Sequence, residues 1–326
     1  MTLSYVLKLL CLCLASFFLI HLTLALVVRL ATPATLRIAA RMRPALAARF
    51  LFLLRVLPAG LGALIVAGIC VPSYLWLEPR NTTSEEIGVL CLALSSLTVT
   101  LWSASIMRGI RAVTSSVRYI EYCRRSGQRT DLFGESLPVW MVEEPASLFA
   151  MAGILHPQLL ISRQVMSVLP GDQLVAAVRH EHAHWLSHDN LKRLVLALAP
   201  DMLPFVSGFR TLERSWAKYI ERAADDRAVA GDPARSLSLA EALVRVSRLG
   251  IAPRAPSLIA PLLADDGDLP ARVQRLLSAA PPRGAGERWL GGLVAGSVVL
   301  FGALVTIWLQ PAALYSVHWF LERLIR

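Results

Sequence analysis

Uncharged apolar residues gather into four long runs along the chain, and the stretches between them are crowded with arginine. The runs cover residues 9–28, 56–77, 87–107 and 289–309. Each has about 20 residues, enough for a helix rising 1.5 Å per residue to cross a hydrocarbon core of ~30 Å. The pattern predicts four transmembrane helices. A signal peptide is the alternative for the first run. That run is longer than the roughly 7–15 apolar residues of a secretory signal and no small-residue cleavage site follows, so it reads as a retained span. His21 within it is expected to face the bundle interior.

The pattern changes after the third run. Residues 108–130 read as a basic helix that continues the third span out of the membrane. Residues 138–142, 147–151 and 158–162 are short apolar runs bounded by Pro145, Gly153 and Pro157, which suggests strands. Pro170-Gly171-Asp172 signals a helix start, and Leu174, Ala177 and Val178 recur at helical spacing, so a helix is expected over 172–188. A sheet edge beside that helix would let a peptide add as an extra strand. Gly231-Asp232-Pro233 ends one helix and opens another, whose apolar face is Leu237, Ala240, Leu243, Val244 and Leu249. Residues 250–256 and 281–286 read as loops. The short helix at 269–277 carries Arg272 and Arg275, expected in salt bridges or facing the membrane. No internal repeat is present. The expected organisation is a three-span region over 1–130, a soluble domain over 131–285, and a fourth span with a short tail over 286–326.

Composition supports a membrane protein, with 55% hydrophobic and 17% charged residues, against about a quarter charged in ordinary globular chains. The net charge of +10 could suggest nucleic acid, but the location of the arginines argues against it. Arg29, Arg37, Arg41, Arg43, Arg49 and Arg55 lie between the first two runs without an acid. Glu78, Arg80, Glu85 and Glu86 lie between the second and third, and Arg108, Arg111, Arg118, Arg124, Arg125 and Arg129 follow the third. Positive residues favour the cytoplasmic side. The first and the long third connections are therefore expected inside, and both termini outside, with Arg323 and Arg326 a mild objection. Of the five cysteines, four sit in apolar runs, and no C-x-x-C pair exists. Neither a disulfide framework nor a thiolate metal clamp is expected.

The candidate chemistry lies in the soluble stretch. His180-Glu181-His182-Ala183-His184 is an H-E-x-x-H motif. On a helix, residues four apart share a face, so His180 and His184 can hold one zinc ion, with Glu181 rotated to stand beside it as a base. The bland alternative is a polar helix with scattered histidines. A second helical stretch, 219–228, places Glu221 and Asp225 on one face. A catalytic zinc site with two histidines needs one carboxylate from another segment, and Glu221 is the best candidate. Asp225, one turn on, is placed to accept the remaining ring N–H of a ligand histidine. The competing reading is a salt-bridged face, since Arg222 and Arg227 are close by. His182 points away from the zinc face. His188 and Tyr219 are both conceivable donors to an oxyanion, and the residues do not choose between them.

These parts together resemble the BlaR/MecR-type family of integral-membrane zinc metallopeptidases. The match runs through Phe149 to Gly153, Pro157 and Ile161-Ser162, through His180 to His184 and Asp189-Asn190, then Glu221 with Ala224-Asp225 and Arg272 to Leu277. The resemblance implies an α-helical membrane protein with four transmembrane helices and a cytoplasmic α+β, gluzincin-like zinc metallopeptidase domain between the third and fourth spans. It implies His180, His184 and Glu221 as zinc ligands, Glu181 as catalytic base and Asp225 as the carboxylate behind a ligand. The expected protein is a multi-pass zinc endopeptidase of a bacterial inner membrane, cutting a cytosolic repressor or a membrane protein. No extracellular penicillin-binding sensor is expected in the short tail. HtpX-type quality-control proteolysis and a non-catalytic zinc-binding signalling scaffold are the alternatives. Nucleic acid is not an expected partner, and a homo-oligomer is left open.

Overall fold

The computed structural model describes residues 3–77, 87–130, 138–143, 147–201, 208–250, 256–262 and 268–278, with isolated positions beyond 295. The fourth apolar run and the loop over 281–286 lie outside these segments.

Three helices are long and apolar enough to cross a membrane. The first, α1, is Leu3–Ala39. The second begins with α2 at Pro44–Ile65, passes through one π-helical turn at Val66–Cys70 and ends as α3 at Val71–Leu77. The third, α4, is Val89–Ser126. All three run past their apolar cores into basic sequence. The arginine-rich stretch between the first two runs is therefore helix on both sides of a short turn at residues 40–43, not a loop. The physical reason is that this stretch is rich in alanine, leucine and arginine, all good helix formers. Pro44 then starts α2 in the first turn, where its missing N–H costs nothing. His21 is fully buried in the bundle, edge-on to Phe17 at 5.5 Å.

α4 ends at Ser126 rather than near 130. Gln128–Thr130 is a strand, β1, so the sheet starts before residue 131. The other strands are β2 (Val139–Val142), β3 (Phe149–Ala152), β4 (Gln158–Ser162) and β5 (Ala260–Pro261). Their order is β1-β2-β4-β3-β5. β2 and β4 are parallel, with Val139 opposite Leu159, while β3 and β4 form a hairpin with Phe149 opposite Ile161. Gly153 makes the hairpin turn with φ +97°, and a Cβ there would meet the His156 carbonyl. The strand nearest the H-E-x-x-H helix, β3, pairs with β4 on one side and, opposite Ala150 and Met151, with the two-residue β5 on the other, so β5 is the last strand of the sheet.

Five of the remaining six helices follow the strands in chain order: α5 (Arg163–Val168), α6 (Gly171–Leu186), α7 (Asp189–Leu198), α8 (Gly208–Val229) and α9 (Pro233–Ser247). The last is α10 (Leu269–Leu277). Ser162 caps α5 by accepting from the Val165 N–H at 3.1 Å, and Asp232 caps α9 by accepting from Ala234 N–H at 2.9 Å. The expected helix over 172–188 stops at Leu186 because His188 adopts a left-handed conformation, φ 55°, and redirects the chain into α7.

The sheet is covered on both faces. Phe149, Leu159 and Ile161 pack with Leu174 and Ala177 of α6 and with Leu239, Leu243 and Val246 of α9. On the other face, Ala150, Ala152 and Leu160 pack with Cys123 near the end of α4. A further core joins Ala25 and Val28 of α1 and Ala47, Ala48 and Leu51 of α2 to Phe209, Leu212, Trp216 and Ile220 of α8. The helix carrying Glu221 and Asp225 is therefore packed along the membrane helices over its first half.

Candidate metal centre

α6 buries Leu174, Ala177, His180, Glu181 and His184, the i, i+3, i+4, i+7 recurrence of one helical face. α8 crosses α6 and brings Glu221 opposite the two histidines. His180, His184 and Glu221 are all buried and each offers one ligand atom, all within 4.8 Å of one another. The two Nε2 atoms are 3.1 Å apart. Glu221 lies 3.5 Å from His180 Nε2 through Oε2 and 3.6 Å from His184 Nε2 through Oε1. Donors set about 2.0–2.2 Å from one tetrahedral ion are separated by about 3.3–3.5 Å. The observed spacings match those edges, so the cluster can hold a metal ion. The Glu221 carboxylate is buried and accepts no well-aligned hydrogen bond, with Arg272 Nη1 3.2 Å from Oε2 as its neighbouring cation.

Each imidazole is held from behind. His180 Nδ1 is 3.0 Å from Asp225 Oδ1. His184 Nδ1 is 2.9 Å from Asp189 Oδ2, and Lys192 donates to the other oxygen of Asp189 at 3.1 Å. With each Nδ1 close to a carboxylate oxygen, both Nε2 atoms are presented inward. Asp225 is fixed by Arg272 of α10, which donates from Nη2 at 2.7 Å and Nε at 3.0 Å. Arg272 Nη1 donates to the Leu262 carbonyl at 3.1 Å and lies 3.2 Å from Glu221 Oε2. Arg275 donates to Asp226 at 2.6 Å and Arg222 pairs with Asp268. These arginines are in salt bridges, as expected, but Arg272 is buried at the centre and not on a solvated face.

Glu181 is fully buried beside the cluster. The Met151 backbone N–H of β3 donates to its Oε2 at 2.7 Å, and Oε1 accepts no hydrogen bond. Asn190 donates to the Met151 and Gly153 carbonyls at 3.3 and 2.9 Å, tying the strand to the start of α7. Burial pushes the Glu181 carboxyl up to about 7, against the opposing pull of His184 and His180. At His184 burial favours the neutral ring, but Glu221 and Asp189 outweigh it and push the imidazole up to about 10. His180 is raised for the same reason, with Asp225 and Glu221 overcoming burial. Glu221 is held well below the carboxylate range: burial opposes ionisation, and the histidines and Arg272 prevail. The residues thus create a negative field at the two rings, which a bound cation would satisfy in place of protons.

His182 is off the cluster and packs on Trp185 at 5.1 Å between ring centroids. His188 lines a small open pocket next to His184, together with Met151, Ile154, Trp185 and Leu191. Tyr219 packs instead among the residues between α8 and the membrane helices. Asp189, Asn190, Lys192 and the buried role of Arg272 are contributions that residue-by-residue reading did not assign. Asp189 was within reach as an acid just past the second histidine. The others depend on chain segments brought together by the fold.

No protein-family model matches the chain, and no curated protein matches it. What the structure defines, among the described residues, is three helices long and apolar enough to cross a membrane, a small mixed sheet, and a buried two-histidine, one-carboxylate cluster.

Proposed function

We propose that this chain is a membrane-anchored zinc endopeptidase of the BlaR/MecR kind, acting on a protein substrate at the cytoplasmic face. The observation that carries the reading is the placement of Glu181. Its unbonded Oε1 shares one buried site with two inward-facing imidazoles and the Glu221 carboxylate. His180, His184 and Glu221 would hold the ion, whose donor set of two nitrogens and one oxygen suits zinc. When bound, it supplies a Lewis acid for the scissile carbonyl and makes water a stronger acid.

The chain's own residues do the rest. Glu181 is anchored through Oε2 by the Met151 N–H, so Oε1 is the atom that takes the proton from the attacking water. It then delivers that proton to the leaving amine, a transfer that a carboxyl near 7 performs in both directions at neutral pH. Asp225 and Asp189 keep the two rings in the tautomer that turns Nε2 inward, and Arg272 keeps Asp225 ionised. The basic connections support the cytoplasmic assignment, and the run at 289–309 would be the fourth span.

A non-catalytic metal-binding scaffold is the second reading, favoured by the near-complete burial of all four side chains. Wild-type chain and Glu181→Gln, both purified in detergent, separate the two. The expected result is one zinc per chain in each and cleavage of an unstructured reporter protein by the wild type only. Zinc in both with cleavage by neither favours the scaffold, and no zinc in the wild type overturns the assignment.

A further inference from the structure

The soluble elements that hold the metal cluster are packed against the membrane helices in a defined register. Arg55 is the last charge before the apolar run at 56–77, so it marks the border of the hydrocarbon. It donates to Glu213 of α8 at 2.7 Å and lies over the Phe209 ring at 4.4 Å. One turn earlier on α2, Phe52 meets Trp216 at 6.4 Å between centroids, and Ala47, Ala48 and Leu51 share a core with Ile220. α2 and α8 therefore run antiparallel, and Glu221 is level with Ala47. From Arg55 to Ala47 a helix rises about 12 Å.

A second measure reaches the same height. Arg108 is the first charge after the apolar run of α4, and it donates to the Ala199 carbonyl just past α7 at 3.2 Å. Leu198 packs against Gly109, where an added Cβ would overlap its side chain. α7 has 10 residues, which span about 15 Å, and its first residue, Asp189, holds His184. Two unrelated helix pairs thus put the cluster within about 12–15 Å of the hydrocarbon border, measured along the helix axes. Headgroups occupy roughly the first 5–8 Å of that distance. The pocket beside His184 has a mixed lining, apolar through Met151, Ile154, Trp185 and Leu191 and polar through His188 and Asn190.

From this we infer that the substrate is the membrane-proximal segment of a polypeptide anchored in the same bilayer. An extended chain advances about 3.3 Å per residue, so the scissile bond falls within about five residues of the point where the substrate leaves the membrane. The inference rests on the peptidase reading, and it does not depend on which side of the membrane the cluster faces.

The test uses the full-length, zinc-loaded protein in lipid nanodiscs. One reporter has a single apolar span followed by an unstructured linker; the other is the same linker as a soluble peptide. Cut positions are read by mass spectrometry. The expected result is cleavage of the anchored form at least about tenfold faster, since sharing a bilayer raises the effective concentration. The cut should stay within about five residues of the span when the linker sequence is slid along by five. Equal rates on the soluble peptide, or a cut that follows the sequence instead of the distance, overturn the inference and leave the peptidase reading intact. Cleavage of neither reporter overturns both. Independently of catalysis, a fluorophore on Leu186→Cys, an exposed position beside His184, should be quenched by headgroup-labelled lipid. No quenching overturns the placement.

Discussion

Replacing Arg272 by methionine tests whether the buried acids of the cluster depend on one guanidinium. Arg272 is 3% exposed and Asp225 is not exposed at all. The arginine gives Asp225 two hydrogen bonds and the Leu262 carbonyl one, and it stands 3.2 Å from Glu221. Hydrogen bonds to charged groups contribute about 1.5–3 kcal/mol each, but the desolvation of the arginine offsets part of the sum. Removing one partner of a buried ion pair typically costs about 3–5 kcal/mol, because the other charge is left behind. Arg272→Met should therefore destabilise the metal-free protein by that amount. A soluble region of this size loses about 2–4 °C per kcal/mol, so the thermal midpoint in detergent should fall by about 10 °C. Adding Asp225→Asn removes the stranded charge, and the double variant should regain about 2–3 kcal/mol relative to the sum of the single losses. The sign with pH is set by Asp225. Its carboxyl is pulled below its ordinary value: burial opposes this, and Arg272 and His180 prevail. The stabilisation it brings is present above the unfolded value near 4 and is lost as pH falls toward the folded one. A loss under 1 kcal/mol for Arg272→Met, or strict additivity in the double variant, would refute this account of the site.

The Glu181 carboxyl, raised to about 7 by burial, makes the opposite pH signature. Its neutral form is preferred in the fold, so stability is complete below the unfolded value of about 4.5 and is lost as pH rises through 7, at a cost of about 3 kcal/mol by pH 8. Glu181→Gln should raise the thermal midpoint of the metal-free protein at pH 8 and change it little at pH 5; an equal shift at both would count against a buried, raised carboxyl. Asp189→Asn should leave the fold in place and weaken metal affinity about 10–100-fold, as measured by competition with a chromophoric chelator, since it loosens the hold on the His184 ring. Unchanged affinity would mean that His184 is positioned by packing alone.

The membrane helices and the chemistry of the cluster were legible for different reasons. A span of about 20 uncharged residues and an H-E-x-x-H on a helical face are local patterns, and local geometry converts them directly into structure. The same holds for the strands at 139–142 and 158–162 and for the cap at Asp232. The helix boundaries were less legible: the arginines between the first two apolar runs read as a connection, yet they belong to α1 and α2, because arginine is a good helix former and charge alone does not end a helix, whereas the helical continuation of the third run was expected and ends only a few residues early.

By itself, then, the sequence determined three helices long and apolar enough to cross a membrane, the helix bearing His180, Glu181 and His184, and the choice of Glu221 and Asp225 as the acids beside it. Only the tertiary structure decided which histidine each carboxylate supports: Asp225 stands behind His180 and Asp189 behind His184. It also decided that Arg272 neutralises the pair, that β5 pairs with β3, and that α8 packs along α2. Apart from the Asp189–His184 pair, five residues apart, those facts depend on contacts between distant segments, as between His180 and Asp225 or Arg55 and Glu213. Periodicity and propensity act over a few turns of chain, whereas the pairing of distant charges is settled by which surfaces can be buried together.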